Sequence, residues 1–124
     1  AKILLGLFNN YDGIIKLGNT DIQHINLEYL RNNITYITQN NVLYNISIID
    51  NMRYGNNVSN KKIIKLLNDY NLLHLFNKLP NSIYTIYNTS NSSLSYGMMK
   101  IILLIRGILR KSNILILDEP TNGL

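Results

Sequence analysis

The residues best suited to chemistry lie near the end of the chain. Four consecutive aliphatic residues, Ile114 to Leu117, run directly into Asp118, Glu119 and Pro120. An apolar run this short, bounded by a proline and Gly123, suits a strand buried on both faces of a parallel sheet. Such strands carry their chemistry at the carboxyl end, where ligands sit in open α/β sheets. Asp118 and Glu119 are therefore expected at a ligand crevice. The first carboxylate can hold Mg²⁺, a hard cation that takes oxygen ligands. The second can orient or deprotonate a water aimed at a phosphate. A solvated strand-end turn would carry the same two residue types.

A second constellation precedes it. Ser95 and Gly97 open the apolar segment Met98 to Leu109, which has Arg106 and Arg110 near its end. A hydroxyl residue before such a run is a helix N-cap, and cations in the last turn suit the helix dipole. A helix N-terminus with a Ser hydroxyl and an unhindered Gly N–H is also an anion site. An ordinary capped core helix would show the same pattern.

The two constellations together resemble the signature motif and Walker B of ABC-type ATPases. Leu94, Ser95 and Gly97 match the family's Leu-Ser-Gly-Gly-Gln, with Tyr96 in place of a Gly and Met98 in place of the Gln. Walker B matches from Ile114 through Thr121, and Asn122-Gly123-Leu124 resembles the start of the D-loop. The segment from Leu4 to Gln39 is similar to the stretch between Walker A and the Q-loop of the exporters. On that match Gln39 is the Q-loop glutamine, a neutral amide able to ligate Mg²⁺ and hold the attacking water. Asn40 to Gly55 is similar to the exporter stretch against which membrane domains dock. Val42, Leu43 and Tyr44 then form either an apolar patch awaiting a partner or part of the internal packing.

The resemblance implies an α/β, P-loop NTPase-like ABC ATPase core with an inserted α-helical subdomain. Residues 1–39 and 112–124 would belong to the core. Residues 40–111 would carry the Q-loop, the helical subdomain and the signature helix. It implies ATP and Mg²⁺ as cofactors, with Asp118 and Gln39 on the metal and Glu119 as catalytic base. Ser95 and the Gly97 N–H would reach the ATP of a second nucleotide-binding domain. Transmembrane domains would dock near Asn40–Met52, placing the chain at a membrane on the cytosolic or organelle-matrix side. Walker A would precede Ala1 and the switch-loop His would follow Leu124, so the chain reads as an internal fragment that binds ATP weakly alone. Tyr96, if its φ is positive, would be strained. Tyr96 and Met98 also leave room for a domain that binds ATP and regulates a partner without turnover. The basic charge permits a soluble ABC ATPase of DNA repair or translation, against which the exporter-like Leu43–Met52 stretch speaks. Exporters usually carry Val-Gly-Glu-Arg-Gly before the signature; Tyr87-Asn88-Thr89-Ser90-Asn91 here has no charged side chain for ion pairs.

Composition agrees with a globular domain. The chain has 124 residues, 46% of them hydrophobic, enough for one core. Asn makes up roughly one residue in six, scattered among apolar residues as a coding bias rather than a prion-like tract. The absence of Cys excludes disulfides and thiolate metal sites. His24 and His74 are isolated and lack ligand spacing. The net charge of +5 is diffuse, and its one cluster, Lys61, Lys62 and Lys65, reads as a solvated helix face. No apolar run approaches the ~20 residues needed to span a bilayer.

The elements that must position these residues follow from local pattern. Ala1 to Phe8 reads as the tail of a helix. Ile14 to Leu17 reads as a strand, followed by a Gly18-Asn19 turn. Asn26 caps a short helix through Arg31, with Leu27 and Leu30 facing inward. Ile34 to Thr38 is β-branched and aromatic, a strand. Lys61 to Tyr70 and Asn71 to Leu79 carry Ile and Leu at helical spacing, and Pro80 stops the second. Asn81 to Ser93 is polar and reads as a loop.

Overall fold

A computed structural model describes residues 1–38, 42–90 and 94–119. The chain opens with a turn of helical character rather than an α-helix. Leu7 N–H donates to Lys2 O at 3.0 Å and Gly6 N–H to Ile3 O at 2.9 Å. With Gly6 at φ +63°, this pair of bonds is a Schellman helix ending. A two-residue hairpin follows, β1 (Lys16–Leu17) antiparallel to β2 (Thr20–Asp21). Gly18 supplies the positive φ of its turn. The strand is thus shorter than its β-branched run suggested.

Helix α1 (Leu27–Asn33) is capped by Asn26, whose side chain accepts from the N–H groups of Glu28 and Tyr29. Leu30 is buried, but Leu27 is exposed. Leu27 lies over the backbone of Gly6, where a Cβ would stand 2.1 Å from its Cδ2. It covers the first turn instead of entering the core.

The main sheet is a pair, β3 (Ile34–Ile37) and β4 (Ile114–Leu117), parallel and in register Ile34↔Ile114 through Ile37↔Leu117. Everything between them is a helical excursion: α2 (Ile48–Arg53), α3 (Asn60–Asp69), 3₁₀ turns at Leu73–Phe76 and Ser82–Tyr84, and α4 (Tyr96–Leu109). The sequence pattern placed a second amphipathic helix over Asn71 to Leu79. The structure has the 3₁₀ turn there. Asn71 takes φ +53°, and Leu72 N–H donates to Leu67 O at 2.7 Å. This ends α3 with Asn in the role usually taken by Gly, and too little chain remains before Pro80 for another α-helix.

The core sits in this excursion. Met52, Ile63, Leu67, Phe76 and Ile102 are fully buried and belong to one cluster. The sheet contributes less. Ile34 and Thr35 are buried, and Thr35 is satisfied by the Ser112 hydroxyl, which donates to it at 2.7 Å. The expectation that β4 is buried on both faces does not hold. Ile114, Leu115 and Leu117 are 37–38% exposed, because β3 is its only strand partner among the described residues.

Helix α4 reaches the sheet at Gly107. A Cβ there would lie 2.6 Å from Ile37 Cδ1 and 3.4 Å from Leu115 Cδ1, so the helix backbone rests on side chains of both strands.

One polar knot ties the excursion together. Asn51 is fully buried on α2. Its Nδ2 donates to Tyr44 O, Ile46 O and Ser47 O, and its Oδ1 accepts from Tyr44 N–H at 2.9 Å. Arg106 on α4 donates to Asn51 O at 2.8 Å, Asn51 Oδ1 at 3.1 Å and Val42 O at 3.2 Å. The guanidinium also stands 5.5 Å from the ring centroids of the stacked pair Tyr44 and Tyr54. Burial lowers the Arg106 pKa from its usual value, and interaction with the two tyrosines opposes that shift. Asn51→Ala would leave Tyr44 N–H and several carbonyls without this partner. It is expected to cost about 3 kcal/mol or more, read as a shift in the denaturant unfolding midpoint. Asn51→Asp should be comparably damaging, since a carboxylate cannot donate to the three carbonyls.

Candidate functional site

The register of the parallel pair sets the site. Asp118 continues β4 by one further bond, its N–H donating to Ile37 O at 3.0 Å. It therefore emerges at the carboxyl end of the sheet. Its Oδ2 accepts from the Tyr36 hydroxyl at 2.7 Å. That hydrogen bond, with smaller contributions from desolvation and the Asp118 charge, raises the Tyr36 phenol above its usual range. The phenol therefore remains a donor at neutral pH. Glu119 follows with φ +46°, a backbone state sparsely populated by non-glycine residues and concentrated at functional sites.

Residues Asp118 and Glu119 border a cleft of about 300 Å³ between the strand ends and α4, together with Thr38, Val42, Tyr96 and Lys100. Lys100 Nζ donates to Glu119 O at 3.2 Å and stands 4.9 Å from the Tyr96 ring centroid. One α4 lysine thus spans from the helix start to the end of β4. This contact had no signal in the sequence, where Lys100 is one polar residue in an apolar run.

Ser95 is the N-cap of α4, its Oγ accepting from Met98 N–H at 3.2 Å. Gly97 is half-buried in the first turn. Neither lines that cleft, though Tyr96 between them does. The structure brings Asp118 and Glu119 to one cleft, whose edge the first turn of α4 reaches through Tyr96. Tyr96 lies within α4 and is not among the residues of positive φ, so the strain considered for it is absent. Gln39 lies outside the described residues, as do Asn40 and Thr121 to Leu124.

Val42 and Tyr44 face outward while Leu43 enters the core. The apolar triplet thus divides between surface and packing. His24 and His74 are exposed, as are Lys61, Lys62 and Lys65. Arg106 stands in the last turn of α4, as the dipole argument expects. Its contacts to Asn51 and Val42, which tie α4 to α2 and to the segment after β3, have no signal in the local pattern.

Among the described residues no three His, Asp or Glu side chains gather as a metal cluster. Mg²⁺ does not require one, because it keeps several waters and commonly takes one or two carboxylates plus substrate phosphates. Asp118, exposed at a strand end and oriented through one oxygen, fits that need.

A parallel strand pair bearing acids at its carboxyl end, joined by a helical insert, fits the class of an α/β core with an inserted α-helical subdomain. The profile of the ABC transporter family matches residues 1–122, and the chain belongs to that family, as an exporter-type nucleotide-binding domain. It is 31% identical over 126 residues to the lactococcin-G-processing and transport ATP-binding protein LagD of Lactococcus lactis subsp. lactis, covering 100% of this chain and 18% of that protein. It is 28% identical over 125 residues to ATP-binding cassette sub-family B member 5 of Homo sapiens, covering 100% of this chain and 10% of that one. Among solved structures, a bacterial Atm1-family ABC exporter with ATP bound superposes with a TM-score of 0.84 at 24% identity, over 99% of this chain and 22% of that one. The chain thus spans less than a quarter of the length of each of these proteins.

The capping role of Ser95 can be separated from any ligand role. Ser95→Ala is expected to cost about 1 kcal/mol through loss of the cap, measured as a lower denaturant midpoint without nucleotide.

Proposed function

We propose that this chain is part of the ATP-hydrolysing engine of an exporter-type ABC transporter. The observation that carries this reading is the adjacent pair Asp118-Glu119 at the carboxyl end of a parallel strand, opening on a cleft, in a chain of this family.

In this reading Asp118 holds Mg²⁺ accompanying ATP, and Gln39 provides a second oxygen ligand and senses the γ-phosphate. Bound Mg²⁺ would neutralise charge on the phosphates. Glu119 accepts the proton of the attacking water. Its position beside Asp118 separates the two duties, since one carboxylate is committed to the cation and the other keeps its basicity. Ser95 and the Gly97 N–H serve the ATP of a second nucleotide-binding domain. Helix α4 begins at that partner-facing end and is tied by Arg106 to the segment after β3.

Residues 1–39 and 112–124 act as the core part and 40–111 as the Q-loop, helical and signature part. Transmembrane domains dock near Asn40–Met52, where Val42 and Tyr44 are exposed. The domain itself works at the membrane surface on the cytosolic or matrix side. Among the described residues no helix is long and apolar enough to cross a bilayer. ATP draws two such domains together and hydrolysis releases them, shifting the membrane domains between facings.

The test is Mg²⁺-dependent ATP turnover by the full-length protein in lipid, wild type against Glu119→Gln. Turnover should fall by about 10²-fold or more on loss of the base, with nucleotide binding retained. Binding without turnover in the wild type would overturn the ATPase reading in favour of a regulatory nucleotide-gated domain.

A further inference from the structure

Asp118 reaches its place through a hydrogen bond that no part of the proposed mechanism uses. Tyr36 pairs with Ile116 across the strands, and Asp118 lies two residues beyond Ile116. Side chains two apart on a strand share a face. Asp118 is thus the diagonal neighbour of Tyr36, at a separation a long aromatic side chain can bridge. The adjacent pair, Ile37 and Leu117, borders the cleft against α4. Tyr36 and Ile116 consequently occupy the other face of the sheet.

The chemistry of this contact is specific. A phenylalanine would give the same ring packing without the hydroxyl. A lysine or arginine would pair with Asp118 but would cancel its charge and repel a divalent cation. A neutral phenol fixes one carboxylate oxygen and leaves the full negative charge in place. The carboxylate is also anchored from its backbone, through the bond from Asp118 N–H to Ile37 O at 3.0 Å. With both ends held, the second oxygen, Oδ1, has a set direction.

Resting on the reading of Asp118 as the metal carboxylate, we infer that Tyr36 is a positioning residue for the Mg²⁺ site, its hydroxyl holding Asp118 Oδ2 so that Oδ1 is presented to the cation. Outer groups that orient a metal-ligating carboxylate commonly govern metal affinity by about 10–100-fold. Tyr36 acts through Asp118 and need not touch nucleotide.

The test uses Mn²⁺ as probe, with full-length protein in lipid nanodiscs and a saturating non-hydrolysable ATP analogue. Free Mn²⁺ is followed by electron paramagnetic resonance. Tyr36→Phe should weaken Mn²⁺ binding by about 10-fold or more, while analogue binding in excess chelator and the thermal unfolding profile stay as in wild type. Asp118→Asn should abolish the site, and Tyr36→Phe added to Asp118→Asn should change nothing further. Equal Mn²⁺ affinity in wild type and Tyr36→Phe would overturn the inference. So would a Tyr36→Phe loss of analogue binding that persists undiminished in the Asp118→Asn background, since that is the mark of a structural role. The titration reads binding and not hydrolysis. A protein that binds but does not turn over would defeat the ATPase proposal and leave the role of Tyr36 standing.

Discussion

Two parallel strands cannot be joined by a tight turn, and the pairing of β3 with β4 imposes that constraint on the rest of the chain. The chain leaves the carboxyl end of Ile34–Ile37 and must return to the amino end of Ile114–Leu117. It uses the return to build α2, α3 and α4 around a core of Met52, Ile63, Leu67, Phe76 and Ile102. The last helix then lays Gly107 against Ile37 and Leu115, which fixes the insert on the sheet. The junction into β4 is held as well. Arg110 donates to Arg31 O at 2.7 Å, and the Asn113 amide donates to Asn33 Oδ1 at 2.6 Å. The register that brings Asp118 beside Tyr36 depends on these fastenings.

Rigidity within the insert comes from polar contacts as much as from apolar ones. Asn51 mimics a stretch of backbone, accepting from one N–H and donating to three carbonyls, and Arg106 closes over it. A buried network of this kind stabilises when every member is satisfied and is costly when one is removed. Its position gives it a functional bearing. It joins the helix that starts at Ser95 to the segment that follows β3. The exposed apolar face of β4 and the outward Val42 and Tyr44 lie at the margins of this body.

Much of the arrangement was legible before any coordinates. The cap at Ser95, the length of α4 and the cap at Asn26 rest on interactions within a few residues, and the strand ending in two acids is legible as a short aliphatic run although its partner strand is distant in the chain. Failures came where distant parts of the chain decide. The alternation around Leu72 and Phe76 is compatible with a helix, but Asn71 turns the backbone left-handed and the core accepts a 3₁₀ turn. Leu27 has a core-facing position by spacing and lies instead over Gly6. Burial of β4 was inferred from four aliphatic side chains, yet exposure depends on what stands beside a strand.

The order of residue types determined the class of this protein: an aliphatic strand running into Asp118 and Glu119, preceded by a capped apolar helix, in collinear order with the exporter-type family. These features are local, because caps, turns and the two-residue strand period act over a few bonds. The tertiary structure alone decided that Tyr36 holds Asp118, that Lys100 reaches Glu119 O, and that Arg106 binds Asn51 and Val42. Those contacts join residues 19 to 82 positions apart. They exist only once the parallel register and the packing of α4 have brought the partners within hydrogen-bonding reach, which no local pattern in the sequence encodes.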